Sequence, residues 1–333
     1  MNSILVTGGA GYIGSHIIED LIRTKSKIFI FDNLSTGYKR LINKKAVFIK
    51  GDIKNYAQLL KIVKKFKIDS IIHLAACLNI SEAEKNKKKY YQNNVSGTLN
   101  VVKCCKNTSV KNIVFSSSCS IYGNTYGAVN ERKKANPAGY YAYTKYEGEK
   151  IIKKFEKKFK YNFAILRYFN IAGASKSKKI GEINSSYGHL LKNIAIQSLN
   201  KEPLINIYGK DYKTKDGTCV RDYMHVSDLS SAHIKALKFI NNKSKSITLN
   251  CGYGKGYSVL EIVKIFKKIN KKLKINFAKR RVGDASSVFA DTKKFNKTLK
   301  LKMKYNSINK ILLSSIKWEK VIGRKFEGIS RNS

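Results

Sequence analysis

Short β-branched apolar runs alternate with longer amphipathic stretches through the first half of the chain. Six runs predict strands: SILVTG (3–8), KIFIFD (27–32), AVFIK (46–50), SIIHLA (70–75), NIVFSS (112–117) and FAILRYF (163–169). Between them apolar residues recur at helical spacing over 12–24, 55–66, 88–107 and 141–159, each stretch long enough to cross over a sheet. This alternation predicts a Rossmann-type doubly wound α/β fold, a parallel sheet with helices on both faces. The strands are apolar throughout, as a sheet covered on both faces requires.

The rhythm changes near residue 170. Segment 173–187, GASKSKKIGEINSSY, reads as a loop; a helix near 189–200, a strand at 205–209 and shorter αβ pieces follow. A division into a Rossmann domain over 1–172 and a smaller C-terminal α/β lobe over 173–333 is expected, with segments around 210–245 returning to the first unit. There is no internal repeat and no low-complexity tail.

With 333 residues, 43% of them apolar, the chain is long enough for a large core. No run of 18 uncharged apolar residues occurs and no basic leader precedes the first strand, so a cytoplasmic protein outside the membrane is expected. Six cysteines show neither CxxC spacing nor pairing with the five histidines, which predicts neither metal nor disulfides. The net charge of +44 raises the possibility of a basic nucleic-acid-binding protein on a dinucleotide fold. The lysines, however, are spread along the chain, in KIVKKFK (61–67), KIIKKFEKKFK (150–160) and KIFKKINKKLK (264–274), with apolar residues at helical spacing between them. That is the pattern of solvated helix faces, and no specific nucleic-acid partner is expected.

The first strand runs into TGGAGYIGSH, with Gly8, Gly11 and Gly14 at GxxGxxG spacing ahead of a helix. Such a turn brings backbone close to a pyrophosphate and points the helix N-terminus at it. The second strand ends at Asp32, whose carboxylate can accept from an adenosine ribose and would repel a 2′-phosphate, so NAD is expected over NADP. Asp52 and Ile53 end the third strand, where an adenine would lie.

In YYAYTKYEGEK (140–150) only Tyr141 shares a helix face with Lys145 at i,i+4 spacing. Together with TGGAGYIGSH, FDNLSTG, GDI, HLAA, NNVSGTLNVV, FSSSCSIYG, RYFNIAGA and DGTCVRDYMHVSDL, in this order, the pair resembles the extended short-chain dehydrogenase/reductases, and within them the UDP-glucose 4-epimerases. The resemblance covers almost the whole chain, and VRDYMHV, RYFN and RRVGD are its specific parts. It implies a catalytic Tyr141 with Lys145 as partner and Ser118 as third member, the ammonium and a nicotinamide cation favouring the phenolate. It implies cofactor contacts from Tyr12 and Ile13 of the glycine motif, Asn33, Leu74, Ala75 and Ala76 of HLAA, Asn93 and Tyr168. The implied reaction interconverts UDP-glucose and UDP-galactose by transient oxidation at C4, hydride passing to NAD and back while the keto sugar turns over. Asn170, Tyr208, Arg221, Arg281 and Asp284 are the implied holders of the UDP-sugar, alongside Ser118 and Tyr141.

Val288 stands where the family limits room beside the sugar, and its small size implies some activity on N-acetylated UDP-sugars. Leu78 replaces a lysine of the family, Tyr140 a proline and Ala142 a glycine; none of these removes a catalytic group. Cys119 and Ser120 stand where related dehydratases carry an acid, which favours epimerisation over dehydration, while a UDP-N-acetylglucosamine-specific 4-epimerase stays as an alternative. The resemblance also implies a homodimer built from helices near 90–107 and 140–160.

Overall fold

The strand Ser3–Thr7 shows why both faces of the sheet are apolar. Successive side chains of a strand point to opposite faces. Ile4 and Val6 join a core with helices Tyr12–Leu21 and Val226–Lys243; Leu5 joins another with Tyr56–Lys65, Gly97–Lys103 and Tyr140–Phe159. The computed structural model describes residues 2–183, 189–281 and 284–323.

Seven strands form the large sheet, in the order 247–251, 162–168, 112–118, 70–73, 3–7, 27–32 and 47–50, all parallel. The order reverses between 3–7 and 70–73. That reversal leaves a crevice at the carboxyl ends of the two strands, the switch point where ligands of open α/β sheets bind. The chain returns to this sheet late: helix Val226–Lys243 packs on Tyr12–Leu21, strand Ile247–Cys251 adds an edge, and Phe295 and Leu299 of helix Lys293–Leu299 reach the same core.

The smaller lobe carries a mixed sheet in which Val220–His225 lies between Gly256–Ser258 and Ser287–Ala290, with Asn170–Ala172 on its later half. A two-stranded parallel sheet pairs Leu204–Tyr208 with Lys274–Ala278. Helices Leu190–Gln197, Val259–Ile269 and Ile308–Gly323 bury their apolar faces on these strands.

Two stretches depart from the periodicity. The helix expected over 88–107 divides into Lys87–Tyr90, a wide π turn over Tyr91–Ser96, and Gly97–Lys103. The Asn94 carboxamide of that turn accepts from Cys77 N at 2.8 Å and donates to Cys77 O at 3.1 Å, tying the segment to the preceding loop. The lysine-rich run 264–274 is not one helix: Val259–Ile269 stops at Asn270, whose side chain accepts from Lys272 N at 3.1 Å, and a strand begins at Lys274. Local competition by an Asn side chain overrides the helical spacing there. Part of the loop read over 173–187 lies outside the described residues, as does the end of the C-terminal lobe beyond 323.

Candidate active site

Gly8 leaves the first strand with φ of +74°, and a Cβ on it would stand 2.7 Å from Ala75 N on the neighbouring strand's exit. A Cβ on Gly14 would collide with the Gly8 carbonyl oxygen. The turn therefore closes only with glycine, and helix Tyr12–Leu21 starts at Gly11 with no side chain capping its first amides. Those amides face the crevice as an anion cradle. Asp32 is 8% exposed; its carboxylate accepts from Ala10 N at 3.0 Å and Leu34 N at 2.8 Å. Burial raises its pKa above the usual carboxylate range, and the two N–H donors pull it partly back. The cradle and this acid fit a dinucleotide, with Ile13, Asn33, Ile53, Leu74, Ala76 and Asn93 also lining the crevice.

Asp52 does not fit that expectation. It does not line the cleft: its carboxylate accepts from the Asn33 side chain at 3.0 Å and Lys54 N at 2.8 Å, fastening the loop that carries Asn33, while Gly51 and Ile53 on either side of it line the cleft wall.

Strand Asn112–Ser118 ends with Ser118 at the cleft, where its hydroxyl accepts from Ser120 N at 3.2 Å and from the Ser120 hydroxyl at 2.9 Å. Helix Tyr140–Phe159 presents Tyr141 on its first turn. In place of a local cap, the Glu84 carboxylate accepts from Tyr140 N at 2.5 Å. Thr144 donates to Tyr141 O at 2.8 Å and accepts from Asn94 at 3.0 Å, so the π turn also steadies the Tyr141 backbone.

Lys145 is 3% exposed and donates to Ser116 O at 2.8 Å. Burial lowers its pKa to about 8. Burial likewise pushes the Tyr141 phenol well above its ordinary range, and Ser118 beside it pulls it only partly back. The Lys145 ammonium is directed to a strand carbonyl and lies 5.4 Å from the centre of the Phe115 ring. The Tyr168 hydroxyl reaches His233 at 2.5 Å while its ring lines the cleft. Cys119, beside Ser118, is a quiet thiol that burial pushes up to about 12.

Across the cleft, Arg221 donates to Asp284 at 3.3 Å and to Val220 O at 2.9 Å. The Arg281 guanidinium stacks 4.0 Å above the Tyr208 ring. Val288 stands beside Arg221 in the parallel ladder and is 7% exposed. Asn170 opens the strand that pairs with Tyr223. Every residue expected to touch cofactor or substrate except Asp52, including Tyr12, Ala75, Tyr168 and Lys145, lines one cleft of about 1670 Å³ between the two sheets.

Sequence reasoning passed over a further pair in this cleft: His189 Nδ1 lies 2.6 Å from the Glu182 carboxylate, next to Leu190 at the start of a helix. Burial alone would lower the imidazole pKa, but Glu182 lifts it above its ordinary value. A lone histidine at a helix start offers no spacing signal; only the neighbouring acid, seven residues earlier, hinted at it.

The model of the family described as "NAD dependent epimerase/dehydratase family" matches residues 4–252. A UDP-glucose 4-epimerase of Lactobacillus helveticus is 38% identical over 97% of this chain and 99% of its own length. A UDP-glucose 4-epimerase from Stenotrophomonas maltophila, crystallised with bound NAD and formylated UDP-arabinopyranose, superposes with a TM-score of 0.90 at 31% identity, covering 97% of this chain and 99% of that one. A UDP-Glc/GlcNAc 4-epimerase from Campylobacter jejuni superposes with a TM-score of 0.83 at 34% identity, covering 96% and 100%.

Proposed function

The chain belongs to the NAD dependent epimerase/dehydratase family, and from that premise we propose that it interconverts UDP-glucose and UDP-galactose by inversion at C4 of the sugar. The observation that carries this reading is the convergence on one cleft of a glycine cradle, the Ser118–Tyr141–Lys145 group and a wall of Arg221, Arg281 and Tyr208.

The enzyme is NAD-dependent, and NAD, when bound, supplies a reversible hydride acceptor for the sugar carbon and a positive charge that favours a phenolate. In this reading the Gly8 turn and the N-terminus of helix Tyr12–Leu21 hold its diphosphate and Asp32 its adenosine ribose. Tyr141 takes the proton of the C4 hydroxyl and returns it once the sugar has presented its other face. Ser118 steadies the phenolate through its hydroxyl and lies next to that proton. Lys145 adds a buried positive charge near neutral pH. Arg221 and Arg281 grip the diphosphate and Tyr208 the uracil, so the sugar is left free to turn.

Val288 is a small side chain on the cleft wall, and one structural relative is named as a UDP-Glc/GlcNAc 4-epimerase, which together support N-acetylated UDP-sugars as additional substrates. No helix among the described residues is long and apolar enough to cross a membrane, and all six cysteines are free, which supports a reducing, cytoplasmic setting. Exposed Tyr91 and Tyr143, on the turn and helix over 91–96 and 140–159, support a homodimer through those elements. The strands over 3–118 and 162–168 with helix 140–159 form the nucleotide half in this reading and 173–225 most of the sugar half, the chain beyond 226 serving both.

Incubation with UDP-galactose tests the reading. Expected are UDP-glucose as product and no net NADH absorbance, and loss of turnover by at least about a thousandfold in Tyr141→Phe with the fold intact. A Tyr141→Phe protein that still turns over would overturn it. A polyanion-binding protein would instead tolerate that change and bind nucleic acid in a salt-sensitive way.

A further inference from the structure

Tyr141, Lys145 and Glu149 are spaced four apart on helix Tyr140–Phe159 and lie along one face of it. Each faces the end of strand Asn112–Ser118: Tyr141 stands beside Ser118, Lys145 donates to the Ser116 carbonyl at 2.8 Å, and Glu149 accepts from the Ser117 hydroxyl at 2.6 Å. The first two contacts belong to the chemistry already described. The third joins Ser117, which lines the cleft, to Glu149, which does not, and it is the most heavily built of the three.

Glu149 has no exposed surface. Arg167, from the next strand, clamps it with two parallel bonds, Nε to Oε1 at 2.9 Å and Nη2 to Oε2 at 2.8 Å. Arg167 also donates through Nη1 to the Tyr122 hydroxyl at 2.8 Å, and Tyr122 donates on to Asn250 at 2.7 Å. Tyr122 closes the turn that begins after Ser118, and Arg167 immediately precedes Tyr168. Helix and strand press together here: a Cβ on Gly148 would stand 2.7 Å from the Phe115 ring. A buried ion pair of this kind contributes little net stability compared with apolar residues of the same shape, so its retention calls for another cause.

We propose, resting on the epimerase reading above, that Glu149 clamped by Arg167 is a positioning residue, the third rung that fixes how far Tyr141 and Lys145 stand from Ser118. The pair holds the strand end against the helix face in one register. Without the charge, the strand end and the turn through Tyr122 settle at a slightly different spacing, and proton transfer between the sugar hydroxyl and Tyr141 slows, because reacting groups tolerate little misplacement.

The test uses Glu149→Gln and the double variant Glu149→Met/Arg167→Met in the full-length holoenzyme. Glu149→Gln strands the Arg167 charge and lowers the melting temperature by several degrees; the apolar double variant regains it. Both are expected to lose kcat on UDP-galactose by about 30-fold or more, with KM within about twofold and NAD content retained. If kcat returns to within threefold of wild type when the melting temperature returns, Glu149 is structural only and the inference is overturned. A second readout does not depend on turnover. In protein labelled with 13Cε-lysine, the resonance that is missing from Lys145→Met titrates at a lower pH in the double variant, because its ammonium has lost the Ser116 carbonyl; an unchanged midpoint also overturns the inference. Wild-type protein inert toward UDP-galactose sinks the reaction reading instead, and the lysine titration then decides the rung alone.

Discussion

The Lys145 ammonium stands 2.8 Å from the Ser116 carbonyl oxygen, and no hydrogen bond joins it to the Tyr141 hydroxyl among the described residues. The strand that carries Ser118 thus also holds the charge.

That burial carries a cost, and its sign can be worked out. The ordinary lysine pKa is 10.5 and burial brings Lys145 to about 8, so the folded protein binds its proton less readily than the unfolded chain. The penalty is complete below pH 8 and fades as pH rises from 8 to 10.5, so this group makes stability rise with pH across that window. Its full size is about 3 kcal/mol, at 1.36 kcal/mol per pH unit. Lys145→Met should therefore melt no lower than wild type at pH 7, by up to about 2 kcal/mol higher once the lost Ser116 bond is counted. Its turnover should fall by at least about a hundredfold. Thermal melts at pH 7 and pH 10 check this: the gain over wild type should shrink at the higher pH.

Gly8 and Gly127 share a positive φ, at +74° and +79°, yet their surroundings differ. Around Gly127 nothing lies within 4 Å of an added Cβ, whereas Gly8 abuts Ala75. Gly127→Ala should cost only the conformational strain, about 1 kcal/mol, with NAD retained. Gly8→Ala should cost more than that and lower NAD affinity at least tenfold, because it wedges the two strand exits apart. Calorimetric titration with NAD separates the two; equal affinities would remove Gly8 from the cofactor cradle.

Val288 sits on the cleft wall beside Arg221. A tyrosine there should raise KM for UDP-N-acetylgalactosamine by at least about tenfold, by removing room for the acetamido group, and leave UDP-galactose within about threefold. Competition kinetics with both sugars provide the measurement. Wild-type protein that turns over only UDP-glucose and UDP-galactose, together with an indifferent Val288→Tyr, would refute this assignment.

Much of the site could be read before any coordinates because its signals are local. Gly8, Gly11, Gly14 and Asp32 follow strand ends that hydrophobic patterning marks, and Tyr141 and Lys145 declare themselves by a spacing of four on one helix. What escaped reading depends on which of two chemically allowed partners wins in space. Asp52 had the sequence position of an adenine contact but was captured by Asn33, nineteen residues away. Nothing in the sequence sets Glu149 and Arg167 apart from the other charges of the chain, and only the closure of strand against helix buries both. The Tyr141 phenol differs from its expectation for a related reason: a sequence shows neighbours in the chain, and here desolvation outweighs them.

The late return of the chain to the large sheet has a consequence for biosynthesis. During translation the glycine turn emerges first, but the edge strand Ile247–Cys251, the covering helix Val226–Lys243 and the Phe295 and Leu299 side chains follow much later. Until then the part of that apolar face that helix Tyr12–Leu21 does not cover stays bare, so the large sheet is completed among the last parts of the protein, and the interval before it is when chaperones matter most.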